Sequence, residues 1–435
     1  MLTHYMDLGW RSIRKTPVLS ALMVMAISIG IGITLISLNV FQLMSHNPAG
    51  ERSSVLHMTQ LWSQGPDSWE EYSANLTYQD TMNLRQSDIP VRSVASFRSG
   101  GAIHAEGSDA EPEMRSIRVT DSEFFAMFSV PFLYGGSWDK SVDMEAAHVV
   151  VINEDLNRTF LGGGNNVGKI IYLDVTPYQI VGIIDHWMPR PKYYDVTNGS
   201  MNFAESIYVP FSLTPHEEFP VWGNTSGWQF EPLITYNDRL LSEKTWIQFW
   251  AELPDEDAQM QFSQWLTSYV EQQQALGRFT DNTRTSWMRL LDVAEYLTDS
   301  EVVPEDNRIM IGLSALFLAV CLVNILGLLL TKFLKRAPEV GVRRAIGASR
   351  RQIFLQHMVE VSLIGLLGGV IGLVWAWFGL TTLADHLGME EALGRLDPSM
   401  WIMTPSIALG AAMLAGMYPA WVICRTQPSV YLKSQ

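Results

Sequence analysis

KRAPEVGVRRAIGASRRQIFLQHMVEVSLIGLLGGVIG, residues Lys335–Gly372, carries six Lys and Arg before Glu360 and no charge after it. Pro338 stands where a preceding helix cannot continue unbroken. A short amphipathic segment follows, with Val340, Ala345 and Ile346 set against Glu339, Arg343 and Arg344. Gly347 permits a sharp turn, and Ser349 can cap a helix that runs on into the apolar stretch. A loop that only fixes topology needs basic residues, but no Gly-Ala-Ser turn and no short helix between two breakers. The stretch therefore reads as a docking element for a partner on the basic side of a membrane.

Outward from it lie four blocks without Asp, Glu, Lys or Arg: Val18–Ser45, Ile309–Thr331, Val361–Ala384 and Met400–Cys424. Each exceeds the roughly 20 residues a helix needs to cross a hydrocarbon core. A wholly soluble protein is excluded, although only 47% of the 435 residues are hydrophobic, because a long polar segment separates the first two blocks. The net charge of −15 is unevenly spread: residues 45–307 hold 16 Lys and Arg against 38 Asp and Glu, the rest 14 against 7. An acidic body on a basic membrane part disfavours nucleic acid as a partner. Cys321 and Cys424 both sit in or at the end of apolar blocks, so no disulfide staples the polar segment and no paired-cysteine metal site exists.

Basic flanks set the topology. Arg11, Arg14 and Lys15 precede the first block, and Lys332 to Arg351 separate the second from the third, whereas the loop after the third carries Asp385, Glu390, Glu391 and Asp397 against Arg395. By the positive-inside rule both termini are expected inside, with the large domain and the acidic loop outside. The first block is read as an uncleaved anchor, since its apolar run is about twice a signal-peptide core and SHNPAG offers no small-x-small cleavage site. Leu2, Met6, Trp10 and Ile13 recur at helical spacing beside the basic residues, as in a helix lying in the interface. The expected organisation is an amphipathic interfacial helix over 1–16, transmembrane helices over 17–45, 308–332, 353–384 and 400–424, and an outer domain with stalk over 46–307. A coupling loop over 333–352, a short outer loop over 385–399 and an inner tail over 425–435 complete it.

The outer domain reads as mixed α/β. VRSVASF, EMRSIRVT, AAHVVVI, KIIYLDV and YQIVGII alternate like strands. Helical periods appear over Tyr78–Gln86 and over Glu256–Gln274, where Phe262, Trp265, Leu266 and Val270 share a face. The spaced apolar residues Trp287, Leu290, Leu291, Val293 and Leu297 read as an outward extension of the second span, a stalk broken near Pro304. Tryptophans such as Trp62, Trp69, Trp222, Trp246 and Trp250 either line an apolar surface or pack the core.

Chemistry-bearing motifs are few. GGNNVGKI (Gly163–Ile170) fits G-x-x-x-x-G-K, but Ile170 occupies the place of the magnesium-holding hydroxyl and strand-like sequence follows, so it reads as a turn between strands. The histidines show no metal-ligand spacing, and His216–Glu218 and Asp255–Asp257 read as solvated acidic surface. No enzyme active site, cofactor site or metal site is expected on this chain.

EVGVRRAIGASRRQIFLQHMVE (Glu339–Glu360) resembles the signature of the FtsX-like permeases. YPAWVICRTQPSVYL (Tyr418–Leu432) resembles that family's closing Pro-Ala-x-x-Ala-x-x-x-x-Pro-x-x-x-Leu pattern, with Ile423 or Cys424 where alanine is common. Val119–Trp138 and Val150–Ile184 resemble the MacB-type periplasmic core domain, in which a Gly-Gly-x-x-x-Val-Gly-Lys turn is usual. The resemblance implies a four-helix membrane permease of the type VII ABC superfamily in a bacterial inner membrane, paired with a second permease, either its own copy or a similar chain. It implies that ATP and magnesium are bound and hydrolysed on a separate ATPase subunit docked at the inner loop, and it leaves a periplasmic adaptor open as a further partner.

Carried over position by position, Glu339, Gly341, Arg343, Arg344, Gly347, Ala348 and Arg350 are expected to contact or shape the ATPase-binding element; phospholipid headgroups are the alternative partners of Arg343 and Arg344. Glu360 is either an interfacial residue or the partner of basic residues across helices. Gly368 and Gly372 form a small-xxx-small face suited to close helix packing. Two functional readings follow: an efflux subunit that expels substrate from the periplasmic side, or a mechanotransmission subunit that activates an outer enzyme or reports envelope stress. The size of the outer domain favours the first. A chemoreceptor is excluded, because about 20 residues separate the second and third blocks and leave no room for a signalling domain.

Overall fold

A computed structural model describes residues 2–63, 72–105, 111–280, 286–303, 305–387 and 398–425. Trp69, Pro304, the loop charges Glu390, Glu391, Arg395 and Asp397, and the tail from Thr426 with Pro428 and Leu432 lie outside the described residues. Two compact units divide the chain: residues 45–302 form a sheet unit, and 1–44 with 303–435 form a membrane unit. The chain begins with α1 (Leu2–Lys15) and α2 (Pro17–Ser45). Pro17 opens α2, a position where its missing N–H has no helical acceptor to lose.

In the sheet unit, the described strands are β1 (Leu56–Leu61), β2 (Arg92–Ala105), β3 (Glu113–Thr120), β4 (Phe132–Gly135), β5 (Val149–Asn153), β6 (Ile170–Leu173), β7 (Thr176–Ile184), β8 (Ile207–Pro210), β9 (Gln248–Glu252) and β10 (Met288–Asp292). They form one mixed sheet in the order β10-β1-β9-β2-β3-β8-β5-β7-β4, with β6 joining β2 and β7. Helices α3 (Tyr78–Leu84), α4 (Phe124–Met127), α5 (Val142–Glu145), α6 (Glu154–Leu161), α7 (Thr214–Glu217), α8 (Tyr236–Leu241), α9 (Glu256–Ala275) and α10 (Val293–Asp299) surround it.

Alternation along the central strands feeds two cores. Ala95, Phe97, Val150, Ile152, Ile207, Val209, Phe249 and Ala251 join Phe262, Leu266 and Val270 of α9 on one side. Val94, Val151, Tyr208 and Trp250 meet Phe124, Phe125, Tyr194 and Tyr296 on the other. A strand apolar on both faces is the mark of a sheet covered twice, which explains the unbroken HVVVI. Trp62, Trp138, Trp246 and Trp250 are buried, so core packing is their use; Trp222 is exposed and its ring lies over Gly100.

Two expectations are corrected. Residues 287–299 are not a helical stalk: Met288–Asp292 pairs antiparallel with β1, from Asp292 opposite His57 to Met288 opposite Leu61. A fresh helix, α10, then starts on a capping box between Asp292 and Glu295. Spaced apolar residues fit either period in so short a run, and the unpaired edge of β1 decided for the strand. The Gly163–Ile170 turn joins α6 to β6 rather than two strands. Asn157 and Asn166 brace it, Asn157 Nδ2 donating to the Gly164 carbonyl at 2.9 Å and Asn166 Nδ2 to Asn157 Oδ1 at 2.7 Å.

The chain continues with α11 (Glu305–Lys335), α12 (Ala337–Ala345), α13 (Arg350–Leu387) and α14 (Pro398–Arg425). Pro17–Ser45, Arg308–Lys335, Arg350–His386 and Met400–Arg425 are long and apolar enough to span a membrane. Two small-residue seams run along α13. A Cβ on Gly368 would stand 2.5 Å from Ile27 Cγ2, and one on Gly372 2.9 Å from the Ser28 carbonyl oxygen, both in α2. On another side, Gly365 and Gly369 come equally close to Ala412 and Ala408 of α14. Without water to drive apolar association inside a bilayer, such close approach is what holds helices together. Gly368→Val is expected to destabilise the membrane unit by about 1–3 kcal/mol through overpacking, read as a lowered unfolding temperature of the intact chain in detergent.

Candidate functional site

The segment between α11 and α13 is built by two back-to-back caps. At the end of α12 the Gly347 N–H donates to the Arg344 carbonyl at 3.1 Å and the Ala348 N–H to the Arg343 carbonyl at 3.0 Å. This pair is a Schellman closure, and it places Gly347 at φ +111°, a backbone conformation that only glycine adopts without strain. Two residues on, Ser349 Oγ accepts from the Gln352 N–H at 3.2 Å while Gln352 Oε1 accepts from the Ser349 N–H at 2.9 Å. That capping box starts α13 at once. The helix-turn-helix is thus held by its own hydrogen bonds.

The faces of α12 differ from the sequence expectation. Val340 is buried with Ala337 and Gly341, whereas Ala345 and Ile346 are exposed beside Val342. The arginines turn inward instead. Arg343 Nη1 donates to Gln356 Oε1 of α13 at 3.0 Å and its Nη2 pairs with Glu339 at 2.7 Å, while Arg344 Nη1 reaches the Cys424 carbonyl at 3.4 Å. Cys424 in turn donates its thiol to the Arg350 carbonyl at 3.6 Å. A nine-residue helix offers too few turns for periodicity to say which face meets its neighbour. The residues that hold the element are therefore Arg343 and Arg344, and those it presents are Val342, Ala345, Ile346 and Glu339. Ala348 is half-buried, and the Arg350 side chain is exposed.

Behind it, Glu360 is fully buried and gathers four helices. Its carboxylate lies 2.7 Å from Lys332 Nζ and 3.7 Å from Arg336 Nη1 at the end of α11, and 3.8 Å from His357 Nδ1 one turn back on α13. Ser12 of α1 donates its hydroxyl to Glu360 and accepts from Arg336. Lys332 also donates to Ser20 Oγ of α2 at 3.0 Å. Of the two expectations for Glu360, the structure shows the pairing with basic residues across helices, through Lys332 and Arg336; Ser12 and Ser20 were not anticipated. The available signal was the small Gly9/Ser12 edge of α1, whose Gly9 would place a Cβ 3.0 Å from Leu363 Cδ1.

The sheet unit holds a second buried charge cluster. Arg118, Lys192, Asp195 and Glu205 are all buried, with Arg118 Nη2 2.5 Å from Glu205 Oε1 and bonded to Asp195, and Lys192 Nζ 3.1 Å from Glu205. Burial pushes the Glu205 carboxyl up, but Arg118 and Lys192 outweigh it and hold the group well below the usual carboxylate range. Asp195 is lowered by the same two cations against its own burial. Nearby, burial raises the Asp121 carboxyl to about 6, against the pull of Arg85.

Two family descriptions match in chain order: the MacB-like periplasmic core domain over residues 20–269 and the FtsX-like permease C-terminal region over 311–428. The macrolide export ATP-binding/permease protein MacB of Hyphomonas neptunium is 22% identical over 365 residues, covering 83% of this chain and 50% of that protein. The uncharacterized ABC transporter permease YvrN of Bacillus subtilis is 20% identical over 361 residues, covering 82% of this chain and 79% of the relative. The crystal structure of the periplasmic region of MacB from Actinobacillus actinomycetemcomitans aligns with a TM-score of 0.35 at 12% identity, over 55% of this chain and 90% of that one. The chain spans about half the length of the MacB relative, and these 435 residues contain no ATPase domain. Four membrane-spanning helices, a doubly covered sheet unit and the capped helix-turn-helix, together with the two family matches, establish a multi-pass membrane protein: the chain belongs to the FtsX-like permeases of ABC transporters that carry a MacB-like periplasmic core domain.

Proposed function

We propose that this permease subunit transmits the motion of a separate cytoplasmic ATPase to its periplasmic core domain and so expels a substrate from the periplasmic side. The observation that carries the reading is α12: a short helix closed at its C-terminal end by the Gly347 turn and tied to α13 and α14 through Arg343 and Arg344, with Val342 and Ile346 left uncovered beside Glu339. Apolar residues four apart on one helix face suit insertion into a groove of a partner. Both termini and α12 then lie on the cytoplasmic side, as the basic flanks of the spans favour. ATP and magnesium are held by the ATPase, and two permease chains form the working unit. The export activity in the name of the MacB relative supports extrusion over pure mechanotransmission.

Purification of the intact chain from its native membrane in mild detergent, followed by mass spectrometry, tests this. An ABC ATPase is expected with the wild type, and recovery is expected to fall about tenfold or more with Val342→Asp plus Ile346→Asp, since each uncovered side chain is worth about 1.5–3 kcal/mol when buried. Arg351→Gln, exposed on α13, serves as the unchanged control. Absence of any ATPase from a wild-type preparation that remains dimeric would sink the proposal.

A further inference from the structure

A cleft of about 230 Å³ opens between α1, α12 and α13. Four cations line it, Arg11 and Lys15 from α1 and Arg336 and Arg343 from the α12 side, against the single carboxylate of Glu339. That carboxylate is already engaged by Arg343 at 2.7 Å, and Arg336 is drawn toward Glu360. Arg11 keeps only an exposed pairing with Asp7, and Lys15 has no ion-pair partner among the described residues. Like charges crowded in a half-enclosed space repel, and an anion that enters relieves this. His357 also lines the cleft, 3% exposed, with its Nδ1 facing the Glu360 carboxylate at 3.8 Å.

Beside the polar Ser12 and Gln356, Leu8, Val340 and Ile353 give the wall an apolar part. The ligand that fits is therefore anionic at one end and hydrocarbon at the other. The next face of α1 points to the same source. Met6 and Trp10 are uncovered by protein, and the Arg14 guanidinium lies 5.4 Å from the Trp10 ring centre. An aromatic and a basic residue on one exposed helix face are how a helix anchors at the headgroup level of a bilayer.

We infer that the cleft binds the phosphate of an anionic glycerophospholipid, with Arg11 and Lys15 on one side and Arg336 and Arg343 on the other, and that the bound headgroup ties the coupling helix to α1. The lipid source rests on the membrane reading of α1, while the shared chemistry is a phosphate ester. Binding in detergent reads the cleft whichever side of the membrane it faces, and whether or not an ATPase docks on α12.

The intact chain, purified and stripped of lipid, is given phosphatidylglycerol or phosphatidylcholine and its retained lipids are counted by native mass spectrometry. Phosphatidylglycerol is expected to be retained about tenfold better than phosphatidylcholine, and this preference is expected to vanish in Arg11→Gln plus Lys15→Gln, at about fivefold per cation removed. Both side chains are exposed, so the variant's unfolding temperature should match the wild type, and Arg351→Gln should bind as the wild type does. If inorganic phosphate binds and is lost in the same variant while phosphatidylglycerol is not retained, the cleft is a phosphate site served from solution. Equal retention of the two lipids together with no phosphate binding, or a preference that survives Arg11→Gln plus Lys15→Gln, overturns the inference.

Discussion

Glu360→Ala is expected to cost the membrane unit about 3–5 kcal/mol of stability, because it leaves buried positive charge without its counter-ion. Lys332 and Glu360 both lie within the packed helices, and their 2.7 Å pairing is the closest ion pair of the hub. Removing the carboxylate strands the Lys332 ammonium with one Ser20 hydroxyl and deprives Arg336 and Ser12 of their common partner. Replacing the pair with apolar residues of similar size should behave differently. Lys332→Met with Glu360→Leu removes both desolvation costs at once, and such swaps are often neutral or stabilising. Unfolding of the intact chain in detergent should therefore rank the double variant well above Glu360→Ala. Equal losses in the two would mean that packing, rather than charge, sustains this region.

The hub also bears on function. It joins α1, α2, α11 and α13, the helices on which α12 is mounted. A stable double variant whose partner ATPase is no longer stimulated would separate the two roles: the ions would be dispensable for folding yet required for the proposed coupling. Buried polar groups that fix register at some cost in stability are the precedent for such a role.

How far the sequence carried the reading follows from the range of each interaction. The four spans, the first half of the strand at Arg92–Ala105, the strand at Glu113–Thr120, and the α9 face of Phe262, Leu266 and Val270 were legible because period and length are local properties. The caps at Gly347 and Ser349 were legible too, each needing only a residue type and its near neighbours. The orientation of α12 was not, since Arg343 is turned inward by Gln356, thirteen residues away, and Arg344 by the end of α14. Strand β10 was missed for a similar reason: nothing within Met288–Asp292 announces the β1 edge it completes. Gly368 and Gly372 were read as one seam, but Gly365 and Gly369 make α13 a helix wedged between two others, which a single small-xxx-small spacing does not reveal.

The buried cluster of the sheet unit gives the second large expectation, and its sign is fixed by linkage. Glu205 ionises well below its ordinary value of 4.5 in the folded chain, so its contribution is full above that value and is lost as the pH falls. Glu205→Gln should cost about 3–5 kcal/mol near neutral pH, where it leaves Arg118 and Lys192 with Asp195 alone. At pH 3 the unfolded wild type is mostly protonated, whereas the folded one, held below the ordinary value, keeps more of its charge. The gap between wild type and variant should therefore narrow from its neutral value, by at most about 2 kcal/mol at 1.36 kcal/mol per pH unit below 4.5. Trp250 is a suitable reporter, because its indole N–H donates to the Tyr194 carbonyl at 3.2 Å and Tyr194 O–H donates to Glu205 Oε2 at 3.0 Å. Denaturant titrations of the intact chain followed by tryptophan fluorescence at pH 3 and pH 7 measure the narrowing. A gap that stays constant with pH would mean that Glu205 acts through its hydrogen bonds and shape, and that the charge it carries does not hold residues 192–205 against β3.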